Sequence, residues 1–356
     1  MPGAPQPRAN VVGVGLIGGS IGLALRGSGW HVSGVDHDAS RTGRALELGV
    51  IDAVGLDADA ELTFVATPVR TVAEAARKAL AGTAGIVTDV GSVKAPIVAA
   101  VADARFVGGH PMAGSEQEGV DGATGDLFEG AVWVLTPTAD TDAEAYARIR
   151  GIVAGFGAEV IDLPPQRHDE LVAVVSHVPH LTAASLMRIA DERADEHAAL
   201  LRLAAGGFRD MTRIASGHPG IWPDICEENR SAIVAGLDRL MAALAEAREQ
   251  VASSDRDALL ADLSRARAAR VNLPSRYTRP SELAEVRVPV PDRPGVLADV
   301  TMLATELDVN IVDLEIAHSS EGQQGVLILL IEGALVERLR GGLLARGYRP
   351  SIRHLD

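Results

Sequence analysis

Short apolar runs recur through the first 165 or so residues, and stretches of Ala- and Leu-rich helical period separate most of them. Val11, Val12 and Val14 open the series. A helical pattern then runs to Gly27 and Gly29, and a second apolar strand ends at Asp36. LTFVAT (62–67), GIVTDV (85–90) and ARFVGG (104–109) follow as strands, with TVAEAARKAL and VKAPIVAAVA as helices between them. AVWVLT (131–136), a helix from Asp142 to Phe156 and AEVIDL (158–163) complete the set. Such alternation predicts a doubly wound parallel sheet with helices on both faces. The pattern changes at Pro164-Pro165. From Arg167 to about Ala269 only helical periodicity remains, broken at Pro179, at Gly206-Gly207 and between Gly217 and Pro223. VNLPSRYTRPSE reads as a linker. The last seventy or so residues give strand, helix, strand, strand, helix, strand, the order of a small ferredoxin-like α+β module. The expected domains are 1–164, 165–272 and 284–356, with 273–283 as the linker.

The first strand leads into the richest local signal. Gly13, Gly15 and Gly18 form G-x-G-x-x-G between a strand and a helix, and an acidic residue, Asp36, ends the next strand. In that setting the first glycine permits the tight turn, the second lets a pyrophosphate approach the backbone, and the third lets helix and strand pack closely. Free N–H groups at the helix start, around Leu16 and Ile17, face the phosphates with the positive end of the helix dipole behind them. Asp36 is placed to accept hydrogen bonds from an unphosphorylated ribose and to repel a 2′-phosphate. That favours NAD over NADP, and Arg41 pulls the other way. The first domain is therefore expected to be of Rossmann type. Ligands of such sheets lie beyond the carboxyl ends of the strands, where Thr67-Pro68, Gly91 to Lys94 and His110 to Glu116 are found.

Composition narrows the partners. The chain has 356 residues, 47% hydrophobic and 23% charged, with a formal net charge of −15. Such a surface repels nucleic acid and anionic membrane, so an anionic substrate must be met by a local cluster of cations. Cys226 is the sole cysteine, which excludes an internal disulfide and fits a reducing cytoplasm. The opening MPGAPQPRAN has no apolar signal core, and no uncharged stretch reaches membrane-spanning length, so a soluble intracellular protein is expected. Ile233, Leu237, Leu240, Met241 and Leu244 make one helix apolar on more than one face, which predicts homodimerisation through the helical domain.

Three clusters carry candidate chemistry. His110, with Ser115 and Glu116 after it, ends a predicted sheet strand near the position of a nicotinamide. An imidazole there suits acceptance of a hydroxyl proton as hydride leaves the same carbon, and Ser92, after the neighbouring strand, is expected to hold it by a hydrogen bond. The alternative is a turn histidine that caps backbone groups. The second cluster is His168-Asp169 with His177 and His180. Pro179 is expected to disrupt the helix that would aim two of these imidazoles at one metal, so the reading is pocket lining and structure, with no metal. The third, around Arg209 and Arg213, offers guanidinium for a carboxylate substrate, and Arg213 is the favoured binder. A hydroxyacid dehydrogenase with a helical second domain would commonly use a lysine there, and 167–271 contains none.

Together GVGLIGGSIGLAL, TDVGSVK, GGHPMAGSE, HDELVAVVSHVPH and GFRDMTRIASGHPGIWPDI resemble the prephenate dehydrogenase family over nearly the whole of residues 10 to 230. VPDRPGVLADVTMLATELDVNI is similar to an ACT module, the amino-acid-sensing domain appended to some members. The resemblance implies NAD-dependent oxidative decarboxylation of prephenate to 4-hydroxyphenylpyruvate, a step towards tyrosine. His110 would then take the ring hydroxyl proton, Ser92 would position His110, and Arg213 and His180 would contact the substrate carboxylates. Arogenate is the alternative substrate, with Glu116, Gln117 and Asp121 nearby in sequence. A catalytically dead dinucleotide sensor is the alternative of another class. The ACT resemblance implies an aromatic amino-acid effector at Asp292, Gly295, Val296 and Leu297, with Asn310 close to the same ligand.

Overall fold

The computed structural model describes residues 6–114, 117, 119–194, 203–271, 283–291, 293–318 and 324–354. The first half alternates as β1 (Arg8–Val12), α1 (Leu16–Gly27), β2 (His31–Val35), α2 (Ala39–Glu47), β3 (Ala53–Val54), β4 (Leu62–Val65), α3 (Val69–Gly82), β5 (Ile86–Asp89), α4 (Ala95–Ala100) and β6 (Phe106–Pro111). β7 (Val132–Thr136), α5 (Ala143–Gly155) and β8 (Glu159–Asp162) follow. All eight strands form one sheet in the order β3-β2-β1-β4-β5-β6-β7-β8. Strand order therefore reverses between β1 and β4, and the crevice at that switch is where a doubly wound sheet takes its ligand. β4 is buried on both faces, so its side chains show no polar alternation. Phe64 on β4 packs with Trp133, Phe128 and Phe156 in the largest apolar core, where each fully buried side chain contributes about 2 kcal/mol.

The expected all-parallel sheet is corrected at one edge. β6 and β7 pair antiparallel, with Gly108 opposite Thr136 and Pro111 opposite Trp133. A parallel neighbour needs a crossover, usually a helix, and among the described residues between these strands the one helical element is the short 3₁₀ turn Val120–Gly122.

A second correction concerns Pro179. α6 (Pro165–Val172), a π turn (Ala173–His177) and α7 (Val178–Ala194) form one continuous helical run, so Pro179 breaks nothing. Proline interferes with the carbonyl four residues earlier, here Val175, and the wider π turn takes up the missing hydrogen bond. Pro165–Glu192 is long and apolar enough to cross a membrane, yet it carries the buried His168, Asp169 and His177. α8 (Gly206–Thr212), which begins at the expected break Gly206-Gly207, α9 (Trp222–Glu228) and α10 (Arg230–Ala252) continue the helical region.

The chain divides within α10 into Met1–Ala242 and Ala243–Asp356. The second unit holds α11 (Arg256–Val271), β9 (Leu283–Pro291), α12 (Val296–Glu306), β10 (Ile311–His318), β11 (Gln324–Glu332), α13 (Val336–Ala345) and β12 (Ser351–His354). Its four strands pair antiparallel in the order β10-β11-β9-β12. Val286, Val288, Val300, Leu329 and Leu339 form the core beneath this sheet.

Candidate active site

The glycine turn is shaped by close backbone approach. Gly13 has φ +92°, and a Cβ there would lie 2.4 Å from the Ala66 carbonyl oxygen. A Cβ on Gly18 would lie 1.8 Å from the Gly13 carbonyl oxygen, so only glycine lets the first turn of α1 rest on the loop. Nothing lies within 4 Å of a Cβ on Gly15, which caps α1 from the open side. Asp36 does a task that spacing alone did not reveal. Its Oδ2 accepts the Val14 N–H at 3.0 Å and its Oδ1 accepts the Asp38 N–H at 3.0 Å, so the carboxylate fixes the glycine turn while facing the cleft.

A cleft of about 1040 Å³ runs from this turn along the carboxyl ends of the strands. Gly13, Gly15, Leu16, Ile17 and Asp36 line one end, Thr67 and Pro68 the middle, and Ser92 and His110 the other end. Gly18 does not line the cleft and is buried. The Thr67 hydroxyl is buried without a hydrogen-bond partner although Thr67 lines the cleft. An open N-terminal helix turn, a glycine cradle and an unused hydroxyl are the features a bound dinucleotide would complete.

At the far end His110 belongs to a chain of polar groups from three segments. Its Nδ1 lies 2.9 Å from His168 Nε2, and His168 Nδ1 lies 2.7 Å from Asp169 Oδ1. A carboxylate only accepts, so His168 carries its proton on Nδ1 and accepts on Nε2. His110 Nδ1 then donates, which leaves a lone pair on His110 Nε2 that no described residue engages. Asp169 also accepts the N–H groups of Lys94 (2.7 Å) and Ala95 (2.8 Å), and so anchors the start of α4. Burial holds the His110 imidazole well below its ordinary pKa, and the neighbouring His168, Lys94 and His177 act in the same direction. It is therefore neutral across the neutral range.

The expected Ser92–His110 hydrogen bond is corrected: among the described residues, the imidazole is held by His168, 58 positions away in sequence. His168 came into view in the sequence only as one of several histidines, and no spacing rule links it to His110. His177 is buried, its pKa lowered to about 4 chiefly by burial, and its Nδ1 lies 3.2 Å from Asn229 Nδ2. That amide also donates to the Asp169 carbonyl at 2.9 Å.

Arg213 and His180 lie off the cleft wall. His180 stacks on Trp222 with ring centroids 3.6 Å apart and an interplanar angle of 12°, and burial lowers its pKa. Arg213 is exposed and opens the turn Arg213–Ser216, which packs on α7, so these two residues sit on neighbouring elements. Ser115, Glu116 and Asp292 lie outside the described residues. In the second unit Gly295 (φ +90°) caps α12, Val296 is buried, and Leu297 and Asn310 are exposed.

Comparison with known proteins decides the family. The nucleotide-binding domain of prephenate dehydrogenase matches residues 21–162, and the prephenate dehydrogenase dimerization domain matches residues 164–265. The chain belongs to the prephenate dehydrogenase family. Among its relatives, prephenate dehydrogenase from Bacillus subtilis (strain 168) is 34% identical over 333 residues, which are 89% of this chain and 90% of that protein. The crystal structure of prephenate dehydrogenase from A. aeolicus in complex with hydroxyphenyl propionate and NAD+ matches with a TM-score of 0.71 at 31% identity, over 76% of this chain and 99% of that one. Synechocystis arogenate dehydrogenase matches with a TM-score of 0.64 at 31% identity, over 74% and 98%. In prephenate dehydrogenase terms, the cleft is lined mainly from the sheet side, the dimerization part adds Gly220, Ile221, Asp224 and Ile225 to its wall, and His168, which backs His110, comes from that same part.

Proposed function

We propose that the chain is an NAD-dependent prephenate dehydrogenase, converting prephenate to 4-hydroxyphenylpyruvate and carbon dioxide as a step towards tyrosine. One observation carries the reading: a neutral imidazole, His110, whose Nε2 lone pair no described residue engages, stands at the end of a cleft whose other end is a glycine turn. NAD, held by Gly13, Gly15, Leu16, Ile17, Asp36, Thr67 and Pro68, supplies the hydride acceptor. His110 Nε2 accepts the ring hydroxyl proton, and Nδ1 keeps its bond to His168, so positive charge on the ring is shared towards Asp169. Loss of carbon dioxide makes the ring aromatic, which supplies much of the driving force. The chain's task is alignment and charge.

Ser92 borders the same end of the cleft and contacts the substrate there. Arg213 and His180 receive the substrate carboxylates, and Ser115 and Glu116 contribute to substrate binding. In an acidic chain the Arg213 guanidinium supplies the attraction the net charge denies. The exposed Val234, Met241 and Leu244 on α10 form the contact of a homodimer, which the dimerization-domain match supports. The C-terminal unit is an ACT module, with domains at 1–164, 165–272 and 284–356. An aromatic amino acid binds it at Asp292, Gly295, Val296, Leu297 and Asn310. The protein works in the cytoplasm.

The test is NADH formation by the full chain with prephenate and with arogenate, each with and without added tyrosine. Faster NADH formation with prephenate, lowered by tyrosine, is the expected result. No NADH with prephenate, or a clear preference for arogenate, overturns the assignment.

A further inference from the structure

Lys94 is fully buried, and its ammonium pairs with Asp89, also fully buried. Neither residue reaches the cleft wall, and the mechanism above uses neither. A buried ion pair adds little net stability once its desolvation is counted, so the reason for this one lies in what it holds. The β5–β6 ladder ends at Val87 opposite Phe106 and Thr88 opposite Val107. Beyond it the Asp89 side chain replaces the missing strand contacts: Oδ1 accepts the Gly109 N–H at 3.1 Å, and Oδ2 accepts the Gly91 N–H at 2.9 Å. Lys94 Nζ donates to the Gly109 carbonyl at 2.7 Å. One ion pair thus grips both polar groups of the residue before His110, and also holds Gly91 on the cleft wall.

The grip closes on itself. The Lys94 backbone N–H donates to Asp169 Oδ1, the atom that receives His168 Nδ1, and His168 Nε2 receives His110 Nδ1. His110 is therefore fixed through its main chain by the Lys94 ammonium and through its ring by the carboxylate that the Lys94 amide anchors. We infer that the Asp89–Lys94 pair is a positioning device that sets the His110 imidazole against the nicotinamide end of the cleft. This deepens the function proposed above and rests on it. Among the described residues, the charged and titratable groups around the ring are His168 and Asp169 from α6, His177 from the π turn, Lys94 from the β5–α4 connection, and its partner Asp89 at the end of β5.

Asp89→Asn, close to isosteric, is the first variant, and Asp89→Asn/Lys94→Met is the charge-balanced second. With the fold checked by circular dichroism, both should lower kcat by about 100-fold, as expected for a displaced catalytic group, and leave NADH affinity within about twofold. In the double variant the NMR titration of the His110 imidazole should move up, because the lysine cation that disfavours its protonation is gone. Should the neutral variants not fold, Asp89→Glu keeps the charge but lengthens the arm, and the same loss of kcat is expected. A folded variant with wild-type kcat and an unmoved His110 titration overturns the inference. Absence of prephenate oxidation in the wild-type chain would instead overturn the proposed function, and the NMR titration reads the positioning role without any substrate.

Discussion

The two ends of the cleft are built in different ways. The glycine end is made of main chain: Gly13 and Gly18 exclude side chains so that α1 can meet the turn, and one carboxylate, Asp36, fixes the result. The imidazole end is made of side chains from distant segments, with His110 from β6, His168 and Asp169 from α6, and Asn229 just before α10. The first arrangement tolerates no added atom. The second depends on which nitrogen carries which proton.

The comparison breaks most sharply at His110. His110→Asn should lower kcat by about 1000-fold, the scale of a lost general base, while NADH binding measured by fluorescence stays intact. Gly18→Ala attacks the other end. Its methyl group would meet the Gly13 carbonyl oxygen, so the variant should lose about 3 kcal/mol of stability in denaturant unfolding and should no longer bind NADH.

Two smaller effects sharpen the contrast. The His177 pKa is lowered from 6.5 to about 4, so the fold prefers its neutral form. The linked stability is present in full above pH 6.5 and is lost as pH falls towards 4. Allowing for partial solvent screening, the loss is about 2 kcal/mol, readable as a falling melting temperature that a His177→Gln variant does not share. Asp36→Asn keeps an acceptor for the Val14 N–H but removes the charge. The ratio of kcat/KM with NADP to that with NAD should rise about tenfold.

The difference also explains what the sequence could disclose. The glycine turn was legible because its parts are near in sequence and each has a local backbone reason, and the strand and helix order followed from apolar periodicity. The antiparallel step between β6 and β7 was not, because apolar runs carry no direction and only the missing crossover helix reveals the reversal. Pro179 misled because a π turn compensates for proline without leaving a mark in composition. Ser92 was expected as the partner of His110 because both come at the ends of neighbouring strands, and nothing in the sequence pointed to His168 in that role. The contact with α6 is a product of packing between the sheet and the helical region, which local pattern does not encode.

Proton abstraction in this cleft depends on a neutral His110 whose Nε2 has no proton and whose Nδ1 donates to His168. Nitrogen NMR of the ¹⁵N-histidine-labelled chain, with His110 assigned by comparison with His110→Asn, reads that state directly. The expected spectrum shows an unprotonated Nε2 and a protonated Nδ1 that persist as pH is lowered below 6.5. A protonated Nε2 at neutral pH, or an imidazole that titrates at its ordinary value, would contradict it.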